Sequence, residues 1–146
     1  MKKAMAILLA VLYLGNVSVP CNVMAANTKD KDILFYVDDQ TSPVIPPREK
    51  TNTTPVYVYL IENSVKSAMV AGERKNSNGK WVKETVGGDY KRVKRHIKSS
   101  LRTNIYEHRG SVSKPLARLR FKKDKANGYI YGYWSPDSTK KYTLLN

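Results

Sequence analysis

Beyond residue 26, apolar residues fall along this chain in short runs separated by polar, breaker-rich segments. Ile33-Leu34-Phe35-Tyr36-Val37 is one such run, stopped by Asp38-Asp39, and Val56-Tyr57-Val58-Tyr59-Leu60-Ile61 is another. β-Branched and aromatic side chains dominate both, which predicts strands. Between them, residues 39–54 carry Pro43, Pro46 and Pro47, with Pro55 just beyond. Proline has no N–H to give to a ladder, so this stretch is expected to be a loop or arm and not the centre of a sheet. Ser67–Ala71 and Trp81–Val86 flank Asn76-Ser77-Asn78-Gly79. Asn-Gly supplies the positive φ of a tight turn, so these two runs are predicted to form a hairpin. In Leu116–Phe121, Leu119 and Phe121 face one way and Arg118 and Arg120 the other, the pattern of a half-buried antiparallel strand. Tyr129–Trp134 is the last strong strand, after a turn over Lys123–Gly128, and Asn104–Glu107 is a shorter candidate.

Residues 89–102 fit no single period. Tyr90, Val93, Ile97 and Leu101 make a helical stripe, with Asp89 as N-cap. A helix there would place Lys91, Arg92 and Lys94 at the unfavourable, positive end of its dipole. A strand would put Arg95 on the apolar face. The segment is therefore expected to be irregular or a short helix. The whole pattern, six to seven short strands with turns between them, predicts an all-β fold, a small antiparallel β-sandwich.

The start of the chain reads differently. Met1-Lys2-Lys3, the apolar run Ala4–Leu14 and Val23-Met24-Ala25 have the order of a secretory signal over residues 1–25. The run is short of the roughly 20 residues a membrane span needs. An exported protein is expected, with residues 26–146 as one domain: an N-terminal strand and proline-rich loop over 26–54, and a sandwich body over 55–146. Cys21 is the only cysteine and lies within the signal. Ser18 and Pro20 do not suit a lipoprotein signal, so anchoring through Cys21 is not expected. A small exported domain without disulfides points to a Gram-positive source.

Charge narrows the partners. The chain has 26 basic and 12 acidic residues, a net +14. Without Lys2 and Lys3 the exported part has 24 against 12, a net +12. Such a charge attracts anionic wall polymers, membrane surfaces or nucleic acid. Lys91, Arg92, Lys94, Arg95, Lys98 and Arg102 fall in twelve residues with no acid among them, and Arg118, Arg120, Lys122, Lys123 and Lys125 form a second cluster. These are candidate polyanion contacts. Tyr129, Tyr131 and Tyr133 lie on one face of a strand, with Ile130 and Trp134 on the other. Exposed, the tyrosines would be a platform for sugars or bases; buried, they would fill the core.

Asn104-Ile105-Tyr106-Glu107, the Arg-Leu-Arg-Phe strand and above all Gly132-Tyr133-Trp134-Ser135-Pro136-Asp137-Ser138 resemble a family of small exported Firmicutes proteins catalogued as a domain of unknown function. The resemblance implies a signal peptide and a Tyr- and Gly-rich β-type body, and it supplies no catalytic residue. A fainter likeness is to bacteriocins of the lactococcin 972 type, which are also Cys-free and β-rich.

Signatures of catalysis are missing. There is no phosphate-cradling glycine loop, no Gly-x-Ser-x-Gly elbow and no His/Cys spacing for a metal, so neither cofactor nor metal is expected. His96 and His108 could serve a small nuclease as acid and base, with Glu107 and Arg109 or Arg118 stabilising the phosphate, although surface histidines in basic loops are commoner. The expectation is an exported, non-enzymatic binder of anionic cell-envelope polymers. A bacteriocin-like toxin and a secreted nuclease are its rivals.

Overall fold

The computed structural model describes residues 26–62 and 64–146. The expected signal segment and cleavage site, with Cys21, lie outside the described residues. The described residues form ten strands and no helix: β1 (Lys31–Val37), β2 (Arg48–Glu49), β3 (Val56–Leu60), β4 (Ser67–Lys75), β5 (Trp81–Lys83), β6 (Lys91–Lys94), β7 (Ser99–Leu101), β8 (Leu116–Lys123), β9 (Gly128–Ser135) and β10 (Thr143–Leu144). The long strands are those the apolar runs predict; the additional ones are two to four residues long.

Two five-stranded sheets make the sandwich. The first has the order β1-β9-β3-β7-β10; the second runs β2-β8-β4-β5, with β6 also on β4. β5 pairs with Glu73–Lys75 and β6 with Ser67–Val70, so the two short strands share one edge of β4 end to end. Strand pairs among the described residues are antiparallel except β10 on β7, and the isolated bridge between Leu60 and Arg95 is also parallel.

Alternation decides what is buried. From β8, Leu119 and Phe121 turn inward; from β9, Ile130 and Trp134; from β1, Ile33 and Val37. Val56, Val58 and Leu60 of β3 and Ala68 and Val70 of β4 complete the two layers. Phe35 meets Phe121 at 5.1 Å between ring centroids. The hairpin between β4 and β5 forms as expected. Asn76 N donates to the Lys80 carbonyl at 2.8 Å, Gly79 N to the Asn76 carbonyl at 3.0 Å, and Gly79 has φ 76°.

Residues 89–102 are neither helical nor irregular: they are β6, a corner and β7. β6 belongs to the second sheet and β7 to the first, and the chain crosses between them at Arg95–Lys98 with His96 at φ 63°. Val93 and Leu101 are both buried, but in different layers, and Ile97 between them is 36% exposed. The four-residue repeat was therefore two alternations joined at a bend. Asn104–Glu107 is not a strand either. It is a turn closed by His108 N on the Asn104 carbonyl at 2.9 Å, with Ile105 buried.

The proline-rich segment is ordered and covers an edge. β2 pairs with β8, Ile45 N donates to the Leu119 carbonyl at 3.0 Å, and Ile45 joins the core. Proline is tolerated on such an edge, where one side of the strand has no ladder to complete.

Gly72 lies under Thr103, where an added Cβ would sit 2.6 Å from the threonine methyl carbon. Gly72→Ala is expected to cost about 1–3 kcal/mol through overpacking. Chemical denaturation would check this, and an unchanged midpoint would show that Thr103 gives way freely.

Candidate polyanion-binding face

The outer face of the second sheet collects cations from four strands. Inward-facing Leu119 and Phe121 leave Arg118, Arg120 and Lys122 of β8 pointing outward. Register then puts their neighbours on the same side: Lys122 opposite Met69, Arg120 opposite Ala71 and Arg118 opposite Glu73. On the other edge of β4, Arg92 lies opposite Met69, Lys94 opposite Ser67, Lys83 opposite Glu73 and Trp81 opposite Lys75. Seven cations thus share this face with the carboxylates of Glu73 and Asp124.

Two aromatic rings lie among them. The Arg118 guanidinium is 4.0 Å from the centre of the Trp81 ring. Lys83 and Lys122 approach Tyr90 at 4.7 and 4.5 Å. Attraction of cations to ring faces holds like charges close together that would otherwise splay apart.

The arginines on this face are anchored and the lysines are not. Arg118 Nε donates to Glu73 Oε2 at 2.7 Å, and Arg120 Nε donates to Glu73 Oε1. Arg92 makes a forked pair with Asp124 at 2.8 and 3.0 Å. Lys75, Lys83, Lys94 and Lys122 have no carboxylate partner among the described residues.

Burial alone would raise the pKa of Glu73, but hydrogen bonds and charge from Arg120 and Arg118 outweigh it and leave it below 4.5. Burial likewise opposes ionisation of Asp124, and Arg92 and Ser67 bring it below 3.8. Asp137, described below, is also held below 3.8, chiefly by Lys50 acting against burial. A carboxylate with a folded-state pKa below its unfolded value stabilises the fold above the unfolded pKa, and that contribution disappears as pH falls through the folded value. The denaturation midpoint is therefore expected to hold from neutral pH to about 5 and to fall steadily below about 4. A midpoint unchanged at about pH 3 would show that these pairs contribute nothing.

The cations predicted over 91–102 do not stay together. Arg92 and Lys94 join the face just described. Arg95 turns to the carbonyls of Glu62 and Ser64 at 3.0 and 3.2 Å. Lys98 lies 5.9 Å from the Tyr59 ring on the first sheet, and Lys91 and Arg102 line a cleft with Leu144 and Leu145. The cluster is contiguous in sequence and divided in space, because the chain changes sheets in its middle.

The opposite side of the sandwich is aromatic. Tyr129, Tyr131 and Tyr133 project from the outer face of the first sheet, where register sets Tyr36 opposite Tyr129, Leu34 opposite Tyr131 and Tyr59 opposite Tyr133. Tyr129 is 53% exposed and Tyr133 37%, while Ile130 and Trp134 are buried.

The two histidines do not meet. His96 N donates to the carbonyl of Leu60, at the end of β3, and its ring lies 3.0 Å from Glu62. His108 follows β7 beyond the other end of β3, with Nδ1 2.6 Å from Glu84. Arg109 folds back on Tyr106, and Arg118 is held by Glu73. Among the described residues, no group of three or more His, Cys, Asp or Glu could hold a metal ion.

Sequence reasoning missed one site altogether. Lys50 and Asp137 are both fully buried, with Nζ 2.9 Å from Oδ1. Lys50 also donates to the carbonyls of Thr54 and, at 2.7 Å, Pro136. The second oxygen of Asp137 accepts Asn27 N at 2.9 Å, Thr51 N at 3.0 Å and Thr51 Oγ1 at 2.7 Å. The only sequence signal was that Asp137 ends the Gly-Tyr-Trp-Ser-Pro-Asp stretch. Each residue of that stretch has a task. Gly132 passes so close to the Tyr59 carbonyl that a Cβ would sit 2.0 Å from its oxygen. Tyr133 faces solvent and Trp134 fills the core. Ser135 Oγ donates to the Asp137 carbonyl at 2.9 Å, and the Pro136 carbonyl receives Lys50.

The fold and its surfaces define an all-β sandwich with one cationic and one aromatic face, fastened by a buried ion pair. The chain belongs to the family described as protein of unknown function (DUF2712), whose family model matches residues 21–138, the Gly-Tyr-Trp-Ser-Pro-Asp-Ser stretch included. No curated protein and no solved structure matches it.

Proposed function

We propose that this protein is an exported, non-enzymatic binder of anionic cell-envelope polymers, and that the outer face of the second sheet is its contact surface. The observation that carries the reading is the set of seven cations from β4, β5, β6 and β8 on one face with two acids among them. A repeating polyanion suits such a surface, because its charges meet several cations at once and the contacts add. Guanidiniums fixed by Glu73 and Asp124 keep the face shaped, and the lysines beside them are left to exchange counterions for polymer phosphates. The signal-like residues 1–25 and the net +14 support an extracellular setting with an anionic partner. The separation of His96 from His108 favours binding over hydrolysis.

The test is co-sedimentation of the protein with Gram-positive cell walls, with and without their teichoic acids, over a salt series. Binding that falls steeply with salt and disappears with the teichoic acids is expected. Absence of binding at low salt would overturn the reading.

A further inference from the structure

Lys50 and Asp137 are held as reactants would be. Two directions around Lys50 Nζ are fixed by the Thr54 and Pro136 carbonyls, and the third faces the Asp137 carboxyl group at 2.9 Å. Once the amine is neutral, two N–H groups stay on those carbonyls and the lone pair is left on the side that faces the Asp137 carboxyl group. Nζ is thus within hydrogen-bond reach of the group it would attack, where a near-attack approach to the carbon itself needs about 3–3.5 Å. The other oxygen, Oδ2, already accepts two backbone N–H groups and the Thr51 hydroxyl. Donors placed in this way stabilise the negative charge of a tetrahedral intermediate. Both side chains have no exposure to solvent. Burial is the largest influence on each group: it lowers the pKa of Lys50, whereas at Asp137 the charge of Lys50 and the hydrogen bonds outweigh it and hold the carboxyl low, so the pair rests ionised and the neutral amine forms by proton transfer to Oδ1.

We propose that Lys50 and Asp137 join covalently, Nζ to Cγ, as an intramolecular isopeptide bond. The steps balance without a co-reactant. A proton passes from Nζ to Oδ1, and the neutral amine attacks Cγ. Charge gathers on Oδ2 among its three donors. The C–Oδ1 bond then breaks, Oδ1 takes a second proton from Nζ, and one water leaves. The remaining amide N–H keeps one of the two carbonyl acceptors. Buried amines are established nucleophiles toward carbonyl carbon, and the dry site limits the back reaction with water. The bond would link the proline-rich segment to the end of β9 and close a loop over both sheets. It stands independently of the polyanion reading.

Intact-mass measurement of the folded protein, followed by proteolysis and peptide sequencing by mass spectrometry, tests it. The expected result is a mass lower than the sequence requires by one water, together with a branched peptide containing Lys50 and Asp137. Lys50→Arg keeps the positive charge but lacks the amine, so it should show the full mass and only linear peptides. Full mass in the unsubstituted protein would overturn the proposal and leave an ordinary buried ion pair. Loss of water with linear peptides only, the signature of a succinimide at Asp137-Ser138, would overturn it equally.

Discussion

With Lys50 and Asp137 unlinked, Asp137→Ala is expected to lower folding stability by about 3–5 kcal/mol, the usual cost of removing one partner from a buried ion pair. The loss has two sources. Lys50 keeps its two carbonyl acceptors but loses the carboxylate hydrogen-bonded to it, in a site with no water exposure. The backbone N–H groups of Asn27 and Thr51 lose their acceptor as well. Converting both partners to apolar residues, as in Lys50→Met with Asp137→Leu, should recover part of the loss, because no charge is then stranded. Full recovery is not expected, since the backbone N–H of Asn27 does not regain the Asp137 carboxylate. Urea denaturation of the three proteins provides the comparison. A single-variant loss below about 1 kcal/mol would show that the pair is no stronger than a surface salt bridge.

Changing Lys75, Lys83, Lys94 and Lys122 together to glutamine is expected to weaken binding to teichoic-acid-bearing walls about a thousandfold at low salt. Each lysine near an anionic surface contributes roughly 1 kcal/mol, and four make about 4. The dependence of log affinity on log salt should flatten by roughly three, since fewer counterions are released. The fold should survive: these side chains are exposed, and the contacts at risk among the described residues are the cation–π approaches of Lys83 and Lys122 to Tyr90, worth about 0.5–1 kcal/mol each. Lys140→Gln with Lys141→Gln, near the C-terminus, removes half as many charges away from the face and should leave binding intact. A loss about half as large in log affinity would mean that net charge alone attracts the polymer.

What could be read from the sequence was what strand periodicity encodes. The Leu119/Phe121 alternation placed Arg118 and Arg120 outside, and Asn78-Gly79 placed the hairpin. The same logic failed where one segment serves two layers. Val93 and Leu101 repeat like one helix stripe, yet each is the inward residue of its own short strand. The tyrosine row was legible as a row but not as exposed, because exposure depends on what β1 and β3 set beside it. Lys50 carried no signal. A lysine between Glu49 and Thr51 in a proline-rich stretch reads as solvated, and its partner is 87 residues away. Burial of charge is a tertiary decision, made by whichever distant chain supplies the acceptors.

The position of β9 has a consequence for how the molecule is made. It lies between β1 and β3, with Lys31 opposite Trp134 and Tyr59 opposite Tyr133. Synthesis delivers β1 first and β9 more than ninety residues later. Until then β1 has no ladder to join, and Ile33 and Val37 have no core to enter. Contacts so far apart in sequence form slowly and leave strand edges open to wrong partners. A chain that stops short of Gly128 would lose the common neighbour of two strands, so the first sheet would fall into separate pieces. The final segment works as the slider of a zip: β3 can already hold β7, but β1 stays loose until β9 arrives and fastens β1, β3 and the Lys50 site together.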